Sequence, residues 1–405
     1  MSRSRIVFFV IIGLAVLVVL ITTLIQPQLE RMNVSQNATA TAQYDFEHTI
    51  TLTINFGTEK EKWLTDATTR FMQANPNVKI ELDGQGSMES YQALSLLTPS
   101  SAALDKNYAI PVLWSPASTI QVNLLNATNP DLLKNCKQLV ISPTVLMVWE
   151  DRAKVFEAYY KDKGGITFEN LVNALTDPSI QGSWEKLGGK ASWGLIKIGH
   201  TNPLKSNSGV MSLITFANNY YKKASAVTSP QVTDAIFREW LKGIEDATTR
   251  PFIDSTGTLT DKVINQGPAA YDFVVMYEAL AIENYKNAVG RQNQTIRIIY
   301  PPYNLFSDHP MCLVNHPSIT DAQKRTATRL MDFLLSKDIQ QLALTYGWRP
   351  ADTSIPIFGT SSDSPFEEAE IKAAGVGTEV GQAIEVPDGA TINDLLTLWT
   401  RIINN

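Results

Sequence analysis

TITLTINFGTEKEKWLTDATTRFMQANPNVKIEL, Thr49 to Leu82, changes its hydrophobic period twice. Ile50, Leu52 and Ile54 alternate with polar residues, the pattern of a strand with one face on a core. Trp63, Ala67 and Phe71 then recur every fourth residue, as one face of a helix does. Thr58-x-x-Glu61 has the form of a capping box at that helix's start. Asn75-Pro76-Asn77 stops the helix, and VKIEL alternates again. Strand, helix and strand joined by short turns make a parallel sheet.

The alternation runs on through the chain. AIPVLW (109–114), QLVISPTVLMVW (138–149), WGLIKI (193–198), YDFVVMY (271–277), TIRIIY (295–300) and MCLVN (311–315) read as strands. Helices are expected over Asp151–Lys161, Phe168–Leu175, Val210–Tyr221, Glu278–Ala288, Asp321–Leu335, Asp338–Tyr346 and Ile392–Ile403. Val232, Ile236 and Trp240 mark the core side of one more. The expected class is α/β, of doubly wound type, without an internal repeat.

The 405 residues suffice for two or three domain-sized cores, and 44% hydrophobic against 18% charged residues is a globular balance. A net charge of −6 and the lack of a basic face argue against nucleic acid as a partner. Cys136 and Cys312 cannot make a metal site alone; pairing and two free thiols both remain open from the sequence. Upstream, IVFFVIIGLAVLVVLITTLI (Ile6–Ile25) has no charge over twenty residues, enough to cross a bilayer as a helix. Arg3 and Arg5 precede it, so the positive-inside bias keeps the amino terminus cytoplasmic and sends the rest outside. A cleaved signal peptide is the rival reading, but its apolar core is usually shorter and the Ala-x-Ala triplets here begin only at Ala38. The expectation is an uncleaved single-pass anchor over 1–25 and a polar tether over 26–47.

In an open α/β sheet ligands gather beyond the carboxyl ends of strands. Four turns there carry hydrogen-bonding groups: FGTEKEK with Thr58, DGQGSMES with Gly84, Gly86 and Ser87, LWSPAST with Ser115 and Ser118, and GHTNPLKSNSG (199–209). The last holds His200, Thr201, Asn202, Ser206, Asn207 and Ser208. Such groups suit an anion or a polyol at helix N-termini, yet taken singly each turn reads first as a helix cap, and a lone His200 is more often structural than functional. Asp308-His309 suggests a catalytic pair, but loop neighbours seldom face each other. There is no GxSxG, P-loop, HExxH or complete GxGxxG, and no EF-hand spacing. DSTGT (254–258) departs from a DxSxS metal loop, with threonine in both serine places. No catalytic residue, cofactor or metal is expected.

The chain resembles the bacterial extracellular solute-binding proteins of ABC transporters, and more narrowly the group often fused to a von Willebrand factor type A domain. The resemblance lies in WLTDATTRFMQANPNVKIELDGQGSMESYQAL, PVLWSPAS, LVISPTVLMVWEDRAKVF, WGLIKIGHTNPLKSNSGVMSL, YDFVVMYEALAIENY, IIYPPYNLFSDHPMCLVN and FLLSKDIQQLALTYGWRPAD, in order from about Thr49 to Pro356. It implies a two-lobed type II periplasmic-binding fold around a central cleft. Residues 48–143 and 311–405 would form the first lobe and 144–310 the second, with Cys136 and Cys312 near one hinge. The cleft would be lined by Thr58, Glu59, Gly86, Ser87, Ser115 and Ser118 from the first lobe. Thr201, Asn202, Ser206, Ser208, Tyr271 and Glu278 would face them, with Arg349 as a further contact or a structural ion-pair partner. The implied partners are a small polar solute and an ABC permease or other membrane protein. The implied place is the outer face of the cell membrane. The type A domain is expected to be absent, since the chain ends after its last receptor helix. An extracytoplasmic sensor or assembly partner that binds another protein with the same fold is the alternative.

Overall fold

Leu139 and the pair Asp308-His309 mark the two points where the chain passes between its sheets. The computed structural model describes residues 26, 48–102 and 109–404; the expected membrane helix (6–25) and residues 27–47 of the tether lie outside them. Among the described residues no helix is long and apolar enough to cross a membrane. The chain divides into a unit of Leu52–Ala74 with Ile80–Asn405 and a unit of Met1–Thr51 with Asn75–Lys79. Within the smaller unit, the Ile50 N–H donates to Asn77 O at 2.9 Å.

The first sheet is ordered β2 (Val78–Gln85), β1 (Ile50–Gly57), β3 (Leu113–Ser115), β11 (Pro310–Val314) and β4 (Leu133–Gln138). β1 and β3 are parallel, with Phe56 opposite Ser115, whereas β11 is antiparallel to both β3 and β4. Its helices are α1 (Glu61–Ala74), α2 (Ser87–Ser95) and α3 (Thr119–Thr128). The second sheet is built on β5 (Val140–Trp149), which pairs with β7 (Phe273–Tyr277), β8 (Ile296–Ile299), β10 (Phe306–Ser307) and β12 (Arg349–Pro350). β6 (Ile198–Gly199) runs parallel to β7, and β9 (Tyr303–Asn304) pairs with β13 (Gln382–Ala383). The helices that follow α3 are α4 (Glu150–Tyr159), α5 (Phe168–Thr176), α6 (Asn207–Tyr220), α7 (Ser229–Val232), α8 (Ala235–Asp246), α9 (Thr256–Gln266) and α10 (Glu278–Gln292). They are succeeded by α11 (Asp321–Leu334), α12 (Lys337–Thr345), α13 (Ala369–Ala373) and α14 (Gly389–Ile403).

The second half of β5, Val145–Trp149, is an unbroken apolar run because all of it is buried. Outgoing β5 and returning β10 lie side by side, with Ser307 opposite Ser142. The last helix, expected with the first lobe, packs on both sides: against α3 of the first sheet and against α6, α7 and α8. Gly389 makes the α3 contact close, since a Cβ there would stand 2.7 Å from Asn123 O.

Three sequence expectations need correction. The Thr58-x-x-Glu61 capping box is not formed: Thr58–Lys60 is a 3-10 turn entered from Gly57 without a side-chain cap. WGLIKI is a strand only at Ile198, because Gly194 takes a φ of 69° and breaks the extended path. The core face of α8 is Phe237, Leu241 and Ile244, while Ile236 is 71% exposed. Val232 belongs to the one-turn α7 before it, so the fourth-residue spacing ran across a helix break.

Cys136 of β4 and Cys312 of β11 form a disulfide across a register shift between Met311 and Leu313. Asn135, with a φ of 52°, takes up the shift beside the cysteine. The bond closes a separation of 176 residues that contains every strand of the second sheet named above except β12. Replacing both cysteines by serine is expected to lower the unfolding free energy by about 2–5 kcal/mol, read by denaturant titration against the oxidised protein.

Candidate functional site

The turn from β6 into α6 is tight for a reason visible at Gly209. A Cβ there would lie 2.5 Å from Thr201 O and 2.7 Å from Pro203 N, so only glycine lets the helix fold back on the turn. This places Asn207, the first residue of α6, opposite the first turn of α3. Ser118 Oγ donates to Asn207 Oδ1 at 2.8 Å, and Gln121 Nε2 donates to the same oxygen at 2.8 Å. Asn207 Nδ2 donates to the Tyr277 hydroxyl at 2.7 Å. All four side chains are buried. The strand-end helices of the two sheets are thus joined through one carboxamide.

Beside this junction lies a knot of hydroxyls. Thr201 Oγ1 and Ser208 Oγ are 2.7 Å apart, Ser208 and Thr256 2.8 Å, and Ser206 and Thr256 3.2 Å. Thr256 opens α9, whose cap is Ser255, so the DSTGT stretch is a helix start. Asn202, expected beside them, donates outward to Asp254 at 3.3 Å.

On the first-sheet side the sequence conceals a buried lysine. Lys60 Nζ donates to Ser115 O at 2.7 Å and Pro116 O at 3.3 Å, and faces His309 Nδ1 at 3.5 Å. Ser307 Oγ donates to Ala117 O at 2.6 Å, so His309 Nε2, 3.0 Å away, must supply the proton between them. His309 Nδ1 is then the acceptor for Lys60. Burial, reinforced by the Lys60 charge, holds the His309 pKa well below its usual value and keeps the ring neutral. Burial also pushes Lys60 down to about 7, against the pull of Glu59 and Asp308. Asp308 accepts from Thr119 N at 2.7 Å and from its hydroxyl, and its pKa is raised by burial. Asp308 and His309 therefore turn to different partners.

Two oxygens here have no partner. Glu59 is half-buried as a residue, but its Oε2 is closed off from solvent and unbonded; burial raises its pKa although Lys60 works the other way. Ser115 Oγ, at the end of β3, is equally buried and unbonded. Ser87 Oγ accepts from Ala117 N at 2.9 Å. Thr58 and Gly86 are exposed. Along this edge runs a groove of about 650 Å³, lined by Thr58 and Glu59 after β1, Gly257 and Thr260 of α9, Leu280 of α10, and Trp348.

The remaining expected residues lie elsewhere. Tyr271 precedes β7 at its amino end, where its carbonyl accepts from Trp149 Nε1; Tyr277, at the carboxyl end, is the tyrosine that meets Asn207. Arg349 forks onto Glu278 through two bonds of 2.7 Å, and Tyr300 also bonds that carboxylate. Both charges are spent within a brace between β12 and α10. Lys60, Gln121, Asn207, Thr256, Tyr277, Ser307 and His309 were not singled out as contacts from the sequence. Asn207 carried a signal in its place among the hydroxyls of the 199–209 turn, and His309 and Thr256 only as parts of Asp308-His309 and of DSTGT.

His200 is structural. Nδ1 lies 2.8 Å from Thr201 O and Nε2 3.1 Å from Glu245 Oε1, so both nitrogens face acceptors and both carry hydrogen. Burial opposes that charge, but Glu245 outweighs it and the pKa is raised above 6.5. A raised histidine pKa stabilises most below the unfolded value, and the effect fades as pH climbs through the folded one. The melting-temperature advantage of the wild type over His200→Gln is therefore expected to be larger at about pH 5.5 than at about pH 8.5.

Residues 52–349 match the model of a family described as bacterial extracellular solute-binding protein. No curated protein gives a significant sequence match. Solved structures similar to the chain include the ferric binding protein from Campylobacter jejuni, with 14% identity, TM-score 0.56, and 87% of this chain and 98% of that one covered. The periplasmic binding protein AfuA from Actinobacillus pleuropneumoniae, with fructose-6-phosphate bound, has 13% identity, TM-score 0.54 and coverage of 87% and 96%. The sulfate-binding protein SubI from Mycobacterium tuberculosis has 14% identity, TM-score 0.51 and coverage of 85% and 95%. At these identities the likeness is one of fold.

Proposed function

The chain belongs to the bacterial extracellular solute-binding proteins, and on that premise we propose that it is a membrane-anchored receptor that captures one small polar solute for an ABC permease. The observation that carries this reading is the meeting of Ser118 and Gln121 with Asn207 and Tyr277 at opposed strand ends, beside the unbonded oxygens of Glu59 and Ser115. A buried polar atom without a partner costs roughly 1–3 kcal/mol, which a solute with matching donors would recover. Of the expected contacts, Glu59, Ser87 and Ser115 would serve from the first sheet, with Thr58 and Gly86 at the rim, while the Ser118 hydroxyl is spent on Asn207 and its helix cap. Thr201, Ser206 and Ser208 would hold the opposing turn in shape rather than bind directly, because their hydroxyls are committed to one another and to Thr256.

Capture needs no chemical step. A solute that fits the joined state better than an open one shifts the hinge equilibrium at Leu139 and Asp308-His309. The anchor is the apolar run Ile6–Ile25, with Arg3 and Arg5 on the cytoplasmic side. Sulfate, iron and a sugar phosphate, named for the similar structures, are all small and polar, which supports the size class.

The packing of α14 on both α3 and α6 favours a second reading, in which the two halves stay together and the surface engages another protein. Solution scattering separates the two. Under the first reading a stabilising solute contracts the particle, and Asn207→Ala weakens its binding about tenfold or more by removing both cross-sheet acceptor and donor. No contraction with any solute, joined to capture of a non-transport membrane protein, would establish the second.

A further inference from the structure

Lys60 is fully buried beside His309, at the crossing between the sheets, and no carboxylate oxygen bonds it. Its three N–H groups meet Ser115 O at 2.7 Å, Pro116 O at 3.3 Å and His309 Nδ1 at 3.5 Å. The two carbonyls belong to the turn after β3. The next one, Ala117 O, accepts from Ser307 Oγ of β10 and from the His309 N–H at 3.1 Å. One residue further on, Ser118 caps α3 and reaches Asn207. The ammonium therefore stands behind the turn that joins the two sheets.

Three neutral acceptors return less than burial takes. The buried ammonium has lost its water shell, and its pKa falls to about 7 although Glu59 and Asp308 draw it upward. Ser307 and Tyr277, which pack on His309 from one side, stand on strands of the second sheet. Parting the sheets would draw them off this corner and admit water to Nζ. A proton binds best to the state in which its group has the higher pKa, so acid acting on Lys60 favours the parted state and base the joined one.

The other titratable groups facing this corner act differently. Burial raises the Glu59 and Asp308 carboxyls, so acid acting on them favours joining, the opposite sign. His309 shares the sign of Lys60, but its ordinary pKa is about 6.5 and burial holds it well lower. Tyr277 is raised well above its ordinary value of about 10. Lys62 and Arg349 are paired with Glu283 and Glu278, and Glu61 is exposed. Between about pH 7 and pH 9, Lys60 is the group at this corner whose charge changes.

We propose that Lys60 is a proton-operated catch on the hinge. Neutral, it rests behind the 115–117 turn and lets the sheets join; protonated, it draws in water and favours their parting, so a captured solute is released on acidification. The proposal rests on the hinge of the solute-capture reading and is independent of which solute is bound.

The test is pulsed dipolar spectroscopy of the full chain in detergent, without solute. Spin labels are carried by Leu96→Cys at the end of α2 and Ile236→Cys on α8, both well exposed, while the native cysteines are bonded to each other. From about pH 9 to about pH 7 the long-distance population is expected to grow about fivefold or more relative to the short one. With Lys60→Met the short population is expected to dominate at both. Glu59→Gln, which removes an attraction that raises the lysine pKa, is expected to move the transition to lower pH. It decides the matter if Lys60→Met does not fold, a transition at unchanged pH overturning the assignment. An equal response in Lys60→Met, or a response to acid that runs toward joining, overturns Lys60 and leaves the hinge standing. Two populations in proportions independent of pH overturn the proton dependence. A single distance at every pH overturns the catch, and solute capture then stands or falls on contraction by solute at fixed pH.

Discussion

The Asn207 carboxamide is the narrow point of the molecule. Its oxygen takes two donors from the start of α3 and its nitrogen serves Tyr277 at the end of β7, so three elements depend on one side chain's orientation. Because the group is buried, water cannot replace a lost partner, and the geometry on either side must agree for the bonds to exist together. Gly209 and the hydroxyl knot around Thr256 fix the turn that presents Asn207, while the capping box of Ser118 and Gln121 fixes the other side.

The charges near this junction follow a different logic. Lys60 is buried without a hydrogen-bonded carboxylate, held instead by two carbonyls and a neutral imidazole. Glu59, its neighbour in sequence, attracts the Lys60 charge through space without a hydrogen bond to it and keeps one buried oxygen unbonded. A buried charge is costly without a bonded partner, so this pair is left incomplete. By contrast, Arg349 with Glu278, and Arg152 with Asp272 at 3.0 Å, are completed pairs that brace strands to helices.

Two long-range ties limit how the sheets can separate. The disulfide holds β4 to β11 at the crossing, which keeps the outgoing and returning chain in register. The last helix buries Leu395, Trp399 and Ile402, and Trp399 meets Phe252 edge-on at 5.1 Å. Any opening motion has to keep the first tie and slide or release the second.

The sequence by itself determined the element order and the class, because period-2 and period-3.6 patterns are local and survive without knowledge of partners. It failed where locality failed: at Gly194, whose positive φ cut a strand short, and at α7–α8, where a break shifted the core face away from Ile236. It also marked the 199–209 turn as chemically loaded. Tertiary structure alone decided that Asn207 rather than its serine neighbours reaches across, that Tyr277 and not Tyr271 stands at the carboxyl end of β7 to meet it, and that Glu278 and Arg349 satisfy each other. It alone brought Lys60 to His309 over a separation of 249 residues. Those outcomes depend on which strand end a residue occupies and what lies opposite it. Both are set by the pairing of distant segments, which no local pattern encodes.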